Sequence, residues 1–373
     1  MAQCAQLVNL IQRQIDEFLA HRGPILREMS PDSAQFVDIS RGFLSTGKRF
    51  RAQFCYWGWR SIVSLGDESD FPSVHTDSAS HDGIVRVASA LEIFHAAALV
   101  HDDVIDDSDT RRGAFAIHRR FAEVHRRSGW DSDGLAFGKS AAILLGDLLL
   151  AWSDELFESA LDRLENRDRA AGTRAEFSQM RAEIAIGQYL DVVEENAWPT
   201  RLQSELVARA LTVATYKSAK YSVEAPLRIG AAYGGASREQ KDALSGYGLP
   251  LGIAFQLRDD LLGVFGDPQI TGKPSGDDLR QGKRTVLVAF ARRNLDTAQR
   301  RDFDALLGNL SLEPHQIESL QTMIRDSGAV GLVEASITDH VNAADTMLAG
   351  APLAPAARES LRELAERATK RVS

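Results

Sequence analysis

The stretch Ile84–Ile105, "IVRVASALEIFHAAALVHDDVI", decides the fold. Its apolar side chains cover nearly every side of a helix, and most of its charges collect at the C-terminal end. A helix that is apolar all round has to be surrounded by other elements. The flanking sequence supplies amphipathic helical patterns, whereas runs of alternating β-branched residues are scarce. We therefore predict an all-α fold built around this buried helix.

The helical pattern continues along the whole chain. We interpret residues 1–373 as one domain, with a core of about 40–300 and C-terminal helices at 313–371, because no stretch resembles a linker between domains. The predicted helices lie near 3–21, 31–45, 47–64, 84–107, 117–127, 138–164, 174–194, 201–222, 238–265, 283–295, 313–327, 331–348 and 357–371.

Composition limits the kind of protein. A net charge of −9 over 373 residues argues against a nucleic-acid partner. The two cysteines, Cys4 and Cys55, give no disulfide framework, which fits a reducing compartment. The N-terminus has no basic start followed by an apolar run, so we expect no signal peptide. The most apolar run, "SAAILLGDLLLAW" at 140–152, contains Asp147 and is short for a membrane span. We expect a soluble, cytoplasmic protein.

The end of the central helix carries an unusual concentration of charge. The segment His101–Gly113, "HDDVIDDSDTRRG", has five aspartates within eight residues. Asp102 and Asp106 are i, i+4 neighbours, so their carboxylates project from one helical face. Magnesium takes one or two carboxylates, waters and phosphate oxygens, and Arg111 and Arg112 offer donors to a phosphate. A solvated acidic helix end is the alternative, but negative charge there opposes the helix dipole. The pattern favours a magnesium and phosphate site.

A second apolar helix ends in the same way, in "LPLGIAFQLRDDLLGVF". It presents Gln256, Asp259 and Asp260, and a glycine-rich loop with Lys273 and Lys283 follows. Two acidic helix ends with nearby lysines suit a polyanion held by several cations. For Lys273 alone, an ordinary surface lysine is the better interpretation.

A third basic segment lies early in the chain, in "STGKRFRAQF". Lys48, Arg49 and Arg51 stand at a helix start, where cations oppose the dipole. An anionic ligand bound among them would relieve that conflict. The sequence has no phosphate-binding GxxxxGK[ST] loop, no HExxH and no zinc-type Cys/His spacing.

Taken in order, these segments resemble the trans-isoprenyl diphosphate synthases of the polyprenyl synthetase family. The matching pieces are "GKRFR", "HDDVIDDSDTRRG", "GQYLD", "YKSAKYS", "FQLRDD" and "FGD…TGKP…GK". Each is weak alone, but the ordered set is specific and spans nearly the whole chain. The overall character is most like that of actinobacterial geranylgeranyl diphosphate synthases. The resemblance implies a helical bundle around a deep central cavity, and a homodimer.

Such enzymes join an allylic diphosphate to isopentenyl diphosphate, head to tail, by ionising the allylic carbon–oxygen bond. Magnesium neutralises the departing diphosphate, and electrostatics of this kind is usually the largest catalytic contribution. The resemblance implies three magnesium ions, two on Asp102 and Asp106 and a third on Asp259. Asp103 and Asp260 would orient the groups that contact the metal directly.

The resemblance also assigns the organic ligands. Arg111 and Lys217 would hold the allylic diphosphate, with Lys273 and Lys283 closing over the leaving group. The Lys217 carbonyl, the Ser218 hydroxyl and the Gln256 amide would face the allylic cation. Released pyrophosphate would take the final proton. The diphosphate of isopentenyl diphosphate would bind Lys48, Arg51, His95 and Arg112.

His95 has a competing interpretation. A lone histidine in an apolar helix is more often a hydrogen-bonded core residue. His95 lies seven residues before Asp102, two turns away, and therefore on the same side of the helix. The family carries a substrate-binding polar residue at this position, which favours the functional role.

Three positions depart from the family pattern. Gly263 stands where the second acidic motif has its third aspartate, and Asp267 is too far along the chain to replace it directly. Ala52 stands where "GKRxRP" has proline, which we expect to affect only the helix start. Ser218 replaces a commoner threonine and keeps the hydroxyl group.

Product length is predicted from the residues that precede Asp102. Ala97 and Ala98 are small, so this wall does not stop growth at fifteen carbons, and Phe94 is the first bulky candidate for a floor. This predicts geranylgeranyl diphosphate as the product. Alternatively Phe94 is only a core residue, and Leu149 or Trp152 from the 138–157 helix sets the floor. Farnesyl or longer products, from hexaprenyl to octaprenyl diphosphate, are the alternatives.

Three other classes of protein share some of these features. A terpene cyclase would share the fold and the first acidic motif, but it does not need "GKRFR" and "RRG" for a second diphosphate. An HD-type phosphohydrolase would use "HDD" at 101–103, and it would leave Asp259 and Asp260 unexplained. A non-catalytic subunit of a heteromeric synthase tends to lose an acidic motif, and both persist here.

Overall fold

The computed structural model describes residues 2–65, 78–268 and 274–370, without the side chains of 2–4 and 78–79. Helices account for most of this part of the chain, which confirms the all-α prediction. The strands in the described residues are limited to one two-residue pair, β1 (Thr110–Arg111) and β2 (Ala114–Phe115).

The helices of the first half run in the following order: α1 (Ala2–Met29), α2 (Ala34–Leu44), α3 (Phe50–Val63), α4 (Ser78–Ile105), α5 (Ile117–Ser128), α6 (Gly134–Leu161) and α7 (Arg167–Ala197). The second half contains α8 (Leu206–Val213), a π-helix (Ala214–Glu224), α9 (Ala225–Gly234), α10 (Arg238–Phe265), α11 (Asp277–Gln281), α12 (Val286–Asn294), α13 (Thr297–Leu306), α14 (Pro314–Asp326), α15 (Ala329–Ala349) and α16 (Pro355–Thr369). Single 3₁₀ turns lie at Pro31–Ser33 and Trp198–Thr200.

The first compact unit comprises residues 1–175, 226–237 and 353–357. Its centre is α4, which packs most extensively against α6 and also against α3 and α1. Apolar side chains along the length of α4 are buried, as the sequence predicted for a central helix. The acidic end of α4 is thus attached to a rigid core element.

The second compact unit comprises residues 176–225, 238–352 and 358–373. Its centre is α10, which packs against α15 and the π-helix. Leu257, Leu261 and Val264 of α10 are buried in its core. This unit therefore repeats the arrangement of the first, with a buried helix that carries an acidic cluster. The prediction of a single domain over 1–373 stays a prediction.

Several elements differ from those predicted. The helix predicted at 201–222 is divided, because the chain widens into the π-helix at Ala214–Glu224. α1 continues through Pro24 to Met29 instead of ending near residue 21. α13 was missed, although Asp296 and Gln299 form a capping box at its start.

Within the part of the chain that the structure describes, two helices are long and apolar enough to cross a membrane by length and composition. In the Ser80–Ile105 segment 78 % of the most apolar window is buried, as expected of a core helix. In Gly134–Leu161 only 33 % of that window is buried. The apolar run at 140–152 thus belongs to the 28-residue helix α6, close to the predicted helix at 138–164, and α6 has an exposed apolar face.

Candidate active site

The first acidic cluster lies at the end of α4. The backbone N–H of Asp106 donates to the Asp102 carbonyl over 2.9 Å, so the helical turn continues one residue beyond Ile105. Asp102 and Asp106 therefore share one helical face, and both are partly exposed. Asp107 takes a positive φ of 50°, which ends the helix.

Asp103 belongs to the same motif but has a different contact. It is 0 % exposed and accepts hydrogen bonds from Arg111, at 2.8 Å from Nε and also from Nη2. A longer bond of 3.3 Å joins Arg111 Nη2 to Asp102 Oδ2. Burial alone would lower the pKa of Arg111, but Asp103, Asp102 and Asp106 raise it above its ordinary value. Arg111 is thus a fixed cation at the edge of the acidic cluster.

Arg111 and Arg112 both lie in a short hairpin, which was not predicted from the sequence. β1 and β2 pair antiparallel, with Arg111 opposite Ala114. The two linking residues, Arg112 and Gly113, have φ values of 55° and 75°. Two successive residues with positive φ are the signature of a type I′ turn. The turn separates the two guanidinium groups. Arg111 contacts the acidic cluster, whereas Arg112 contacts the loop before α3.

Arg112 contacts the loop that leads into α3. Its Nη1 donates to the carbonyls of Phe43 at 3.2 Å and Thr46 at 2.9 Å, and its guanidinium lies 5.4 Å from the centre of the Phe43 ring. Lys48 follows two residues after Thr46 and is exposed. The hairpin thus fixes Arg112 beside the "GKRFR" segment.

His95 lies within a concentration of positive charge. Its pKa lies well below the ordinary value because of burial, and because Arg51, Arg112 and Arg111 are near. Burial and the neighbouring guanidinium groups also lower the pKa of Arg112. Each cation raises the free energy of keeping its neighbours charged. A bound polyanion would therefore stabilise the whole group.

One functional candidate here was missed from the sequence, namely Glu92, the partner of Arg49. Glu92 Oε2 accepts a hydrogen bond from Arg49 Nη1 at 3.2 Å, and the two side chains are 3 % and 2 % exposed. Glu92 lies one turn before His95 on α4. An isolated glutamate in an apolar helix gives no sign of its partner, which is 43 residues away.

The predicted chain-length residues lie on different sides of α4. Ala98 is partly exposed, like His95 and Asp102 on the same side of the helix. Phe94 is 4 % exposed and Ala97 is 0 % exposed. The two residues from the facing α6 are both buried, Leu149 at 0 % and Trp152 at 4 %.

The second unit holds a cluster of lysines and carboxylates. Lys217, on the π-helix, donates from Nζ to Asp191 Oδ2 at 2.5 Å. Lys283 donates to the same oxygen at 3.2 Å and to Glu195 at 2.9 Å. Burial would raise the pKa of Asp191, but Lys217 and Lys283 lower it below its ordinary value. Asp191, which stands in "GQYLD", and Glu195 were not predicted as site residues.

The π-helix lies in close contact with α7 at Gly187. A side chain at Gly187 would collide with the backbone of Tyr216 and Lys217, so this glycine lets α7 lie directly against the π-helix. π-helical segments are frequent at functional sites. The predicted residues Lys217 and Ser218 both lie in this segment and are partly exposed.

The acidic end of α10 contains an orienting contact. Gln256 donates from Nε2 to Asp260 Oδ1 at 2.7 Å. Burial, partly offset by this bond, raises the pKa of Asp260 well above its ordinary value, and Asp278 and Asp259 raise it further. Asp259 itself is partly exposed. Asp260 therefore fixes Gln256, while Asp259 stays accessible to a ligand.

At Gly263, where the family motif has an aspartate, a carboxylate from another segment lies nearby. The carboxylate of Asp278 lies so close to Gly263 that a side chain there would require Asp278 to move aside. From the sequence, Asp267 is too far along the chain to replace the missing aspartate directly. The Asp278 carboxylate, from α11, instead lies next to Gly263. Lys273, also predicted for this region, lies outside the described residues.

The donor set suits magnesium. Among the described residues no three or more His, Cys, Asp or Glu side chains form a group that could hold a metal ion. Magnesium requires no such group, since one or two carboxylates and substrate phosphates complete its shell. The partly exposed Asp102 and Asp106 offer two carboxylates on one face.

A profile of the polyprenyl synthetases matches residues 35–324. The chain therefore belongs to the polyprenyl synthetase family, as its motifs predicted. It is a prenyltransferase, a trans-prenyl diphosphate synthase. The phosphohydrolase and cyclase interpretations are thereby set aside.

Particular relatives show how close the similarity is. A geranylfarnesyl diphosphate synthase of Aeropyrum pernix is 32 % identical over 280 residues, which cover 75 % of this chain and 80 % of the relative. A (2E,6E)-farnesyl diphosphate synthase of Mycobacterium tuberculosis is 30 % identical over 292 residues, covering 77 % and 74 %. The geranylgeranyl pyrophosphate synthase of Corynebacterium glutamicum, solved with isoprenyl diphosphate and magnesium, is 34 % identical with a TM-score of 0.89, covering 98 % and 99 %. These names span three product lengths.

Proposed function

We propose that this enzyme condenses isopentenyl diphosphate with an allylic diphosphate to make geranylgeranyl diphosphate. The observation that carries the proposal is the pairing at the end of α4, where the Asp102 and Asp106 face adjoins the fixed cation Arg111. A pair of accessible carboxylates beside a guanidinium suits a metal-bound diphosphate better than either group alone.

Asp102 and Asp106 would hold two magnesium ions and Asp259 a third. When bound, magnesium supplies neutralisation of the charge that develops on the departing diphosphate. Arg111, kept charged by Asp103, would bind the allylic diphosphate together with Lys217. Asp103 would act by holding Arg111.

Lys217 and Lys283 would bind the leaving diphosphate. In the structure both lysines contact Asp191, which keeps two cations close together. A diphosphate offers more charge than one carboxylate and would draw both ammonium groups to it. Lys273 would join them, in line with the family resemblance.

Isopentenyl diphosphate would bind among Lys48, Arg51, His95 and Arg112. Since the pKa of His95 is well below its ordinary value, the ring is neutral at pH 7 and donates a single hydrogen bond. The surrounding guanidinium groups would neutralise the diphosphate. This proposal is supported by their mutual repulsion in the absence of an anion.

The allylic cation would be faced by the Lys217 carbonyl, the Ser218 hydroxyl and Gln256. Because Gln256 gives its Nε2 to Asp260, its amide oxygen remains for other contacts. Oxygen atoms of this kind stabilise a cation without trapping it, as a stronger nucleophile would. The released pyrophosphate would accept the proton lost when the new double bond forms.

The product would grow from Asp102 along α4, past the partly exposed Ala98. Phe94 would end the cavity at twenty carbons. Farnesyl and geranylfarnesyl diphosphate are the competing products, one isoprene unit shorter and longer. Incubation with magnesium, isopentenyl diphosphate and farnesyl diphosphate tests the reaction. Consumption of isopentenyl diphosphate without formation of a longer prenyl diphosphate would contradict it.

We further propose a homodimer formed through α6. Its large exposed side chains include Leu135, Ile143 and Leu144, which are 51 %, 45 % and 60 % exposed. Only 33 % of the most apolar window of α6 is buried, and exposed apolar surface of this kind is typical of an interaction site. Light scattering should report a dimer for the native chain and a monomer for Leu144→Lys. As a control, Leu310→Lys changes an isolated apolar residue, 65 % exposed, and should leave the dimer intact. A native monomer would contradict the proposal.

A further inference from the structure

Glu92 and Arg49 form a buried ion pair beside the basic group that includes His95. The Arg49 Nη1 to Glu92 Oε2 distance is 3.2 Å, and neither side chain is more than 3 % exposed. Isolated charges at such depth are costly, so each partner depends on the other. A buried pair in this position indicates that the two side chains hold their segments in a defined arrangement.

Arg49 holds the "GKRFR" segment in an unusual backbone conformation. Its φ is 54°, in the left-handed region, directly before the first residue of α3. Its guanidinium also donates to Gln12 Oε1 at 2.6 Å and to the Leu44 carbonyl. Left-handed backbone at a non-glycine residue persists where its surroundings enforce it. The bonds of Arg49 provide that enforcement.

Glu92 also caps the start of α3. Its Oε1 accepts the backbone N–H of Ala52 at 3.1 Å. Ala52 is the third residue of the helix, so this N–H has no partner within the helix, and the carboxylate also complements the dipole. Proline, which the family pattern has here, could not donate this bond. One side chain of α4 thus fixes both the loop and the helix that follows.

The residues fixed in this way lie between two residues that are proposed to bind the substrate. Lys48 and Arg51 stand on either side of the Arg49–Phe50 pair, and His95 lies one turn after Glu92 on α4. Gln53 adds a bond from its Nε2 to the Lys48 carbonyl at 2.7 Å. Glu92 therefore links the position of Lys48 and Arg51 to the helix that carries His95.

We propose that Glu92 is a positioning residue for the diphosphate of isopentenyl diphosphate, acting through Arg49 and the start of α3. This inference rests on the proposed role of Lys48, Arg51 and His95. Glu92 itself does not contact the substrate. Its carboxylate sets the distance between cations that would otherwise repel one another, so its loss would spread them apart.

Glu92→Gln tests this in the full-length enzyme, because it keeps the size of the side chain and an acceptor for Ala52 but removes the charge. The Michaelis constant for isopentenyl diphosphate should rise about tenfold to a hundredfold, as expected for misplaced binding groups. The constant for the allylic diphosphate and kcat should stay within about twofold. Asp304→Asn is the matched control, because it breaks another ion pair, with Arg292 at 2.8 Å, outside the proposed site.

Arg49→Lys provides a second route if Glu92→Gln does not fold. It keeps the charge but shortens the reach, and it should raise the same Michaelis constant selectively. Calorimetric titration of the wild type with isopentenyl diphosphate separates the possible failures. A wild type that neither binds nor elongates would contradict the proposed function. A functional wild type whose variants change both substrates equally, or neither, would overturn the positioning role.

Discussion

The carboxylate of Asp278 occupies the space that a side chain at Gly263 would need. The acidic motif on α10 lacks its third aspartate, and a carboxylate from α11 lies in its place. The two residues are 15 positions apart, and Asp278 raises the pKa of the neighbouring Asp260, although less than burial does. A carboxylate from another segment therefore lies beside the position of the missing aspartate.

Asp278→Asn should lower the affinity for magnesium more than it lowers the stability of the fold. If Asp278 replaces the missing aspartate, the magnesium concentration for half-maximal turnover should rise by about tenfold, since such supporting groups tune metal affinity. Asp277→Asn is the control, because it removes the same charge one residue earlier, where Asp277 accepts a bond from Gln281. Equal shifts for the two variants would show a general effect of charge. Binding of Mn²⁺ to each variant, followed by electron paramagnetic resonance, gives a second readout.

Asp102→Ala should nearly abolish elongation while leaving the protein folded. Its carboxylate is crowded among like charges, and we propose that it serves a metal more than stability. We expect turnover to fall by on the order of a hundredfold to a thousandfold. Circular dichroism checks the fold. Asp109→Ala removes an exposed aspartate of the same segment, paired with Arg119, and should retain activity. Near-normal turnover of Asp102→Ala would reject the metal assignment.

Acidification should destabilise the protein in part through His95. The pKa of His95 in the folded state is well below its ordinary value, so the unfolded chain takes up a proton first as the pH falls. The stability that His95 contributes is full above pH ~6.5 and falls by up to about 1.4 kcal/mol per pH unit below it. His95→Gln cannot titrate. Its free energy of unfolding, from urea titrations at pH 7 and 5, should decline less than that of the wild type. Parallel declines would show that His95 does not contribute.

Phe94→Ala should lengthen the product, and Ala97→Phe should shorten it to farnesyl diphosphate. The first change removes the proposed floor, and the second adds a ring one turn nearer to Asp102. Ile93→Ala is the control, because Ile93 is 0 % exposed and adjacent on α4, with a similar loss of packing. Chromatography of the dephosphorylated products measures the lengths. If Phe94→Ala leaves the product unchanged, the floor lies elsewhere, with Leu149 or Trp152 as the next candidates.

Much of the fold could be predicted because helical periodicity is local. The apolar stretch of α4 predicted a buried helix, and the i, i+4 spacing of Asp102 and Asp106 predicted a shared face. The hairpin was missed because two-residue strands leave no alternating pattern. The π-helix was missed because its sequence, "ATYKSAKYSVE", is also compatible with an ordinary helix.

The missed site residues depend on contacts that are distant in sequence. Glu92 gains its role from Arg49, 43 residues away, and Asp191 from Lys217 and Lys283, 26 and 92 residues away. No spacing rule joins such residues before the chain is folded. Asp191 had one available signal, its place in "GQYLD", but the motif alone does not name its partners.

The most direct test of the central claim is the length of the natural product. The wild type is incubated with magnesium, excess isopentenyl diphosphate and, in separate reactions, dimethylallyl, geranyl or farnesyl diphosphate, and the products are identified by mass spectrometry. We predict that all three starters converge on geranylgeranyl diphosphate. A product that stops at fifteen carbons, or that continues past twenty, would contradict the proposed function.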